Sequence, residues 1–261
     1  MARLDTAASP RLVIIGGSNT AFGLDSRMLA DSLGLNVVNT GLHSGIGLRF
    51  MLDDAMPRLR PGDKVVVMPE YGEFLEKFYN GHSWDLASAV VYSGIGSLRY
   101  LNGEQWLELV QGLPIYLKIN TKRMKREPGQ YSALNFNSYG DEEAHWEWER
   151  MPEVEVDNEA MEGPVSAKVC DEVAEKLQAM RSQGCEVWLL PQISIEKNTR
   201  HNAAQIRHMY AIMAERGMPF SLPADSMAVA DSLAYDSSNH VTRPGVDIST
   251  RRLINFLRQH R

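Results

Sequence analysis

Apolar residues along this chain follow two rhythms. Arg11-Leu-Val-Ile-Ile15 is a short β-branched run that stops at Gly16-Gly17, and such a run bounded by turn residues predicts a buried strand. Ser26 to Leu33 predicts a short helix, and Val37 to Asn39 a second strand. Leu48, Met51, Leu52, Ala55, Met56 and Leu59 recur every three to four positions, so Gly47 to Leu59 reads as an amphipathic helix. Pro61-Gly62-Asp63 then breaks the chain ahead of a third strand, Lys64 to Met68. Strands alternating with helices predict a parallel sheet with right-handed crossovers.

The alternation returns late. Val165 to Gln183 predicts a helix stopped by Gly184, Glu186 to Leu190 a strand, and Asn202 to Glu215 a helix stopped by Gly217. Phe220 and Ser221 are expected to open a short strand. Pro244 to Gln259 predicts a closing helix, with Pro244 in its first turn and Leu253, Ile254 and Leu257 on its buried stripe. Between these halves, residues 79–163 show no strand–helix alternation but hold 11 of the 21 aromatic residues. That aromatic content argues against disorder, and an irregular stretch of this length is usually functional. The expectation is one domain spanning residues 1–261, with 79–163 an insertion or cap beside the catalytic edge.

Composition narrows the classes. Hydrophobic residues at 44% and charged residues at 23% suit a soluble globular chain. A net charge of -6 argues against broad nucleic-acid binding, so no nucleic-acid partner is expected. Cys170 and Cys185 are too few for a disulfide framework and have no metal-ligand spacing, so both read as ordinary core or surface thiols. No apolar run approaches the roughly 18 residues of a membrane span, and no signal peptide opens the chain. Met1 to Pro10 reads as a polar lead-in, compatible with a native terminus or with the remnant left where an anchor was removed.

Candidate chemistry centres on Ser18. Two glycines at the end of strand one are expected to allow a sharp turn, delivering a serine to the carboxyl edge of the sheet, where α/β folds place their chemistry. The serine could equally cap the next helix. A phosphate loop is a weaker reading, because neither GxGxxG nor GxxxxGK[ST] is present. The nucleophile elbow GxSxG is absent as well. Far along the chain, Asp236-Ser-Ser-Asn-His240 supplies a carboxylate and a histidine on one loop before the closing helix. Ser, His and Asp are the parts of a nucleophilic triad, in which the carboxylate fixes the histidine tautomer.

Gly16-Gly17-Ser18-Asn19, Asn39-Thr-Gly41 and Asp236…His240 together resemble the SGNH (GDSL-type) hydrolase superfamily. Val38 to Phe50, Pro69-Glu70-Tyr71 and Phe136 to Asp141 are similar to SGNH-like bacterial proteins associated with surface polysaccharide acylation. The resemblance covers roughly residues 11–75 and 165–260. It implies a flavodoxin-like three-layer α/β/α fold with a central parallel sheet, and an extracytoplasmic location. It implies Ser18 as nucleophile, His240 as general base, Asp236 as its orienting acid, and the backbone N–H groups of Ser18 and Gly41 as oxyanion donors. It implies no metal or organic cofactor.

The chain departs from the family pattern at two points. Asp-x-x-x-His replaces the usual Asp-x-x-His, and Glu70 stands where an oxyanion-hole asparagine is expected. An ionised glutamate cannot donate a hydrogen bond, so Tyr71, Asn39 and Asn19 become the candidate donors. His43, close after Gly41, reads as a structural or substrate-contacting residue rather than a base, and His82 is a further candidate base. Lys118 to Arg126 could meet an anionic polymer or membrane surface, or simply be a solvated face. Trp84, Trp106, Trp146 and Trp148 could stack on sugar rings or pack the insertion.

The resulting expectation is a serine esterase or O-acyltransferase working through an acyl-Ser18 intermediate. Its substrate would be an acylated carbohydrate or a small ester. The competing expectation is a catalytically silent module that binds polysaccharide or a membrane acyl-transfer partner.

Overall fold

Alternate residues of each strand face opposite sides of a sheet, and both sides are occupied here. Val13, Ile15, Val65, Val67, Val187 and Leu189 share one core with helices Leu48–Ala55, Ala167–Ser182 and Ala203–Glu215. Leu12, Ile14, Val66 and Met68 share the other with helices Ser26–Leu33 and Arg243–Gln259. Burial on both faces is why these strands read as unbroken apolar runs. A computed structural model of the chain describes residues 2–81, 86–87, 90, 95–123, 133–148 and 161–260. It is an α/β structure around one parallel sheet of four strands, β1 (Arg11–Gly16), β2 (Asn36–Asn39), β3 (Lys64–Met68) and β4 (Glu186–Leu189), in the order β2-β1-β3-β4. β5 (Ser194–Ile195) and β6 (Ala228–Val229) form a separate parallel pair.

Local chemistry sets the helix ends. Asp25 caps Ser26–Leu33 by accepting from Met28 N–H at 2.9 Å, and Gly34 ends that helix at φ 68°. Ser166 caps Ala167–Ser182, and Gly184 follows at φ 90°. Thr242 precedes the closing helix, with Pro244 in its first turn. Phe220 forms only a single parallel bridge with Leu189 rather than opening a strand.

Register decides what meets at the carboxyl edge. Gly16 pairs with Met68, so two residues further along each parallel strand Ser18 and Glu70 become neighbours. Ile14 pairs with Asn39 and Val67 with Leu189, which carries Asn39 to one flank and the chain after β4 to the other.

The amino edge holds a buried ion pair. Arg11 and Asp63 are bonded through Nη2–Oδ2, and Arg11 Nε donates to Asp63 Oδ1 at 2.9 Å. Arg11 also donates to the carbonyls of Leu4 and Arg58, and Asp63 accepts from Arg60 N–H. The polar lead-in is therefore not loose: Ala2–Thr6 is a short helix, Leu4 is fully buried, and Arg3 donates to Val37 O at 2.7 Å.

The insertion carries one long helix that the sequence pattern did not reveal. Gly103–Arg123 is a helix of 21 residues. Its inner side is Gln105, Leu109 and Gly112, while Trp106, Leu107, Val110, Leu113, Ile115 and Leu117 are exposed. Apolar residues off the buried face blur the periodic signal, and Pro114 interrupts it further. No described helix is long and apolar enough to cross a membrane.

Candidate active site

The glycines at the end of β1 are required for space rather than for an unusual turn. Neither Gly16 nor Gly17 has a positive φ. A Cβ on Gly16 would lie 2.6 Å from Met68 O, and one on Gly17 would lie 2.6 Å from Glu70 Oε1. Both are closer than a Cβ sits to a neighbouring atom, and Gly17 is what lets a carboxylate press against the turn that carries Ser18.

Ser18 opens a single helical turn, Ser18–Ala21. Its Oγ donates to Glu70 Oε1 at 2.8 Å. Asn19 N–H donates to the same oxygen at 3.2 Å, and Asn239 Nδ2 donates to Glu70 Oε2 at 3.2 Å. Three neutral donors therefore converge on one carboxylate that can only accept. Glu70 N–H in turn donates to Glu73 Oε2 at 2.8 Å. Burial, reinforced by the Glu70 charge, holds the Glu73 carboxyl well above the usual carboxylate range.

His240 is placed by a closed loop. Ala234 bridges Val241 in antiparallel fashion and Tyr235 N–H donates to His240 O at 2.8 Å, so the loop between them has room for the extra residue. His240 Nδ1 lies 2.6 Å from Asp236 Oδ1. A carboxylate only accepts, so in the neutral ring Nδ1 carries the hydrogen and Nε2 is the basic nitrogen. The ring stacks on Phe22 with centroids 4.1 Å apart, and Phe22 also packs on the buried His145 at 4.9 Å. His145 is held by Glu142 and by Val241 O.

Ser18, His43, Glu70, Tyr71, Asn239 and His240 line one cavity of about 670 Å³. Ser18 and His240 therefore face the same space, while the serine hydroxyl bonds to Glu70 rather than to the imidazole. His43 Nδ1 accepts from Gly45 N–H at 3.0 Å, an anchoring role on the cavity wall. Tyr71 N–H donates to Gln192 Oε1 at 2.6 Å, and its hydroxyl donates to Ala224 O at 3.4 Å. Burial, with Tyr210 close by, pushes the Tyr71 phenol well above its usual range.

Gly41 N–H and the side-chain amides of Asn39 and Asn19, all among the expected oxyanion donors, are otherwise engaged. Gly41 N–H donates to Asn39 Oδ1 at 2.9 Å. Asn39 Nδ2 donates to Thr20 O and to Asp141 Oδ1, each at 2.9 Å. Asn19 Nδ2 donates to Met68 O at 3.1 Å. These contacts are architecture: the motif asparagines tie distant segments together, and of these donors only Asn19 N–H reaches the Ser18–Glu70 pair. Asp141 also accepts from Ser26, fastening the insertion to the sheet edge.

Sequence reasoning missed a chain of buried amides. Asn239 Oδ1 accepts from Gln192 Nε2 at 3.1 Å and from Asn198 Nδ2 at 3.3 Å. Asn202 Nδ2 donates to Asn198 Oδ1 at 2.6 Å, and Asn202 Oδ1 accepts from Met161 N–H at 2.8 Å. The available signals were Asn239 adjoining His240 and the one-turn spacing of Asn198 and Asn202.

Among the insertion's described tryptophans, Trp146 packs while Trp148 keeps 40% of its surface exposed. Arg243 lies over Trp146 at 4.2 Å, and Trp148 lies 6.3 Å from Tyr235 between centroids. Trp106 is 43% exposed. His82 and Trp84 lie outside the described residues, as do residues 124–126 of the basic stretch. Cys170 and Cys185 are buried free thiols, with burial pushing Cys170 up to about 11. Among the described residues, no cluster of three His, Cys, Asp or Glu could hold a metal. Comparison with protein-family models, with curated proteins and with solved structures finds no match to this chain.

Proposed function

We propose that the protein is an SGNH-type serine esterase or O-acyltransferase built on a flavodoxin-like three-layer α/β/α fold. The observation that carries this reading is the convergence on one cavity of Ser18 from the turn after β1 and an Asp236-oriented His240 from the loop before the closing helix. Strand register and the closed loop bring them there from opposite ends of the chain. Ser18 Oγ attacks an acyl ester, and the acyl group is held on the serine. His240 exchanges protons with the leaving and incoming oxygens, and Asp236 fixes the ring and supports its charge. Carbohydrate acyl esters are the substrate class that the motif resemblance suggests. Water as acceptor gives hydrolysis, and a sugar hydroxyl gives transfer.

A fluorophosphonate probe tests the nucleophile. The expected result is labelling of the wild type that disappears in Ser18→Ala. Product analysis with and without an oligosaccharide acceptor then separates hydrolase from transferase.

The engagement of Gly41 N–H by Asn39 favours a second reading, a catalytically silent module that binds acylated glycan. Glycan binding in the absence of any labelling would select it.

A further inference from the structure

We propose that Glu70 is the proton acceptor for Ser18 and, once it holds that proton, the missing donor to the oxyanion. The inference rests on the reading of Ser18 as nucleophile. It starts from the serine hydrogen: Ser18 Oγ donates to Glu70 Oε1 at 2.8 Å. The carboxylate is fixed for this contact from four sides. Asn19 N–H holds Oε1, Asn239 Nδ2 holds Oε2, Glu70 N–H is anchored on Glu73 Oε2, and the missing side chain of Gly17 gives Oε1 its room. Parallel register dictates the adjacency, since Gly16 and Met68 are paired two residues earlier.

The same geometry answers the departure from the asparagine pattern. An ionised Glu70 beside a developing oxyanion would repel it and could donate nothing. Accepting the serine hydrogen cancels that charge and creates an O–H donor beside Ser18, where Gly41 N–H and the side-chain amides of Asn39 and Asn19 are turned to other acceptors.

The step balances. As Oγ forms its bond to the acyl carbon, the Oγ–H bond breaks, the proton passes to Glu70 Oε1, and the carbonyl electron pair moves to oxygen. When that pair returns, the bond from carbon to the leaving oxygen breaks, and protonated His240 gives its proton to that oxygen. In deacylation the incoming water or hydroxyl gives a proton to His240, and Glu70 returns its proton to Oγ. The cycle closes with Glu70 ionised and His240 protonated.

The charged and titratable groups around the pair are Glu73 on Glu70's own turn, Asp236 and His240 from the last loop, His43 from the loop after β2, and Lys77 and Glu162 at the cavity wall. The test is the burst of p-nitrophenolate from p-nitrophenyl acetate, whose leaving group needs no proton, so the burst reports the base acting on Ser18. Glu70→Gln is expected to slow the burst by about 10²–10⁴-fold, with partial recovery in Glu70→Asp. A burst in Glu70→Gln as fast as wild type or faster overturns the proposal, because the amide then serves as the donor that asparagine would be.

A wild-type pH profile decides the matter even where a variant fails to fold. The proposal expects the acid limb of that profile, followed at several temperatures, to carry the small ionisation enthalpy of a carboxylate. An acid limb with the larger ionisation enthalpy of an imidazole overturns it and returns the base role to His240. Wild-type protein that fluorophosphonate does not label defeats the nucleophile reading itself, and with it this one. Labelled wild type with a full burst in Glu70→Gln defeats the role of Glu70 alone.

Discussion

The two ends of the sheet treat buried carboxylates in opposite ways. At the amino edge, Asp63 faces the guanidinium of Arg11, and both are further satisfied by backbone groups. At the carboxyl edge, Glu70 meets only neutral donors, and Glu73 is fully buried with Oε1 lacking a hydrogen-bond partner. A carboxylate matched by a cation and by backbone donors fastens strands and the lead-in. A carboxylate held by neutral donors, one of them a serine hydroxyl, has no cation among its hydrogen-bond partners. A carboxylate matched by a cation and a carboxylate bonded to Ser18 thus sit at opposite ends of one sheet.

The contrast can be broken most severely at His240. Replacing it with alanine is expected to cut turnover of a simple acetyl ester by about 10²–10⁴-fold. Steady-state kinetics beside a thermal melt checks this, and the melt should move little if His240 serves chemistry rather than folding. Asp63→Ala is expected to show the converse. It leaves the buried guanidinium of Arg11 without its counter-charge, a loss of about 3–5 kcal/mol. Urea unfolding measures that loss, and the activity of the remaining folded protein should be unchanged. A large stability loss at His240, or a small one at Asp63, would erase the division of labour.

The sequence made the sheet readable because β1, β2 and β3 are buried on both faces, and Ser26–Leu33 and Lys64–Met68 have the bounds their patterns predict. Helix stops at Gly184 and Gly217 were readable from residue chemistry alone. Ser18, Asp236 and His240 stood out because few residue types can do nucleophilic work. Which carboxylate would touch Ser18 was not readable, since spacing along the chain does not reveal strand register. The pairing of Gly16 with Met68 makes Glu70 the neighbour. Nor could motif matching show that Asn39 and Asn19 direct their amides into backbone carbonyls and a carboxylate. The helix Gly103–Arg123 was hidden for another reason: its apolar residues lie largely outside the buried face that periodicity detects.

The finest test of the contrast is the pH dependence of stability at Glu73. Burial, then the Glu70 charge, raises its folded-state value well above the 4.5 of a free glutamate. The folded protein therefore holds the proton more tightly than the unfolded chain. That contributes stability which is complete below the unfolded value and is lost as pH rises toward the folded one. Glu73→Gln keeps an oxygen for Glu70 N–H and cannot ionise, so it should escape this loss. As pH rises above the unfolded value, the urea midpoint of the variant should gain on that of the wild type. The difference between the two proteins isolates Glu73 from every other acid. A difference that stays flat would mean that Glu73 is as well compensated as Asp63, and that the carboxyl edge carries no strained acid next to its nucleophile.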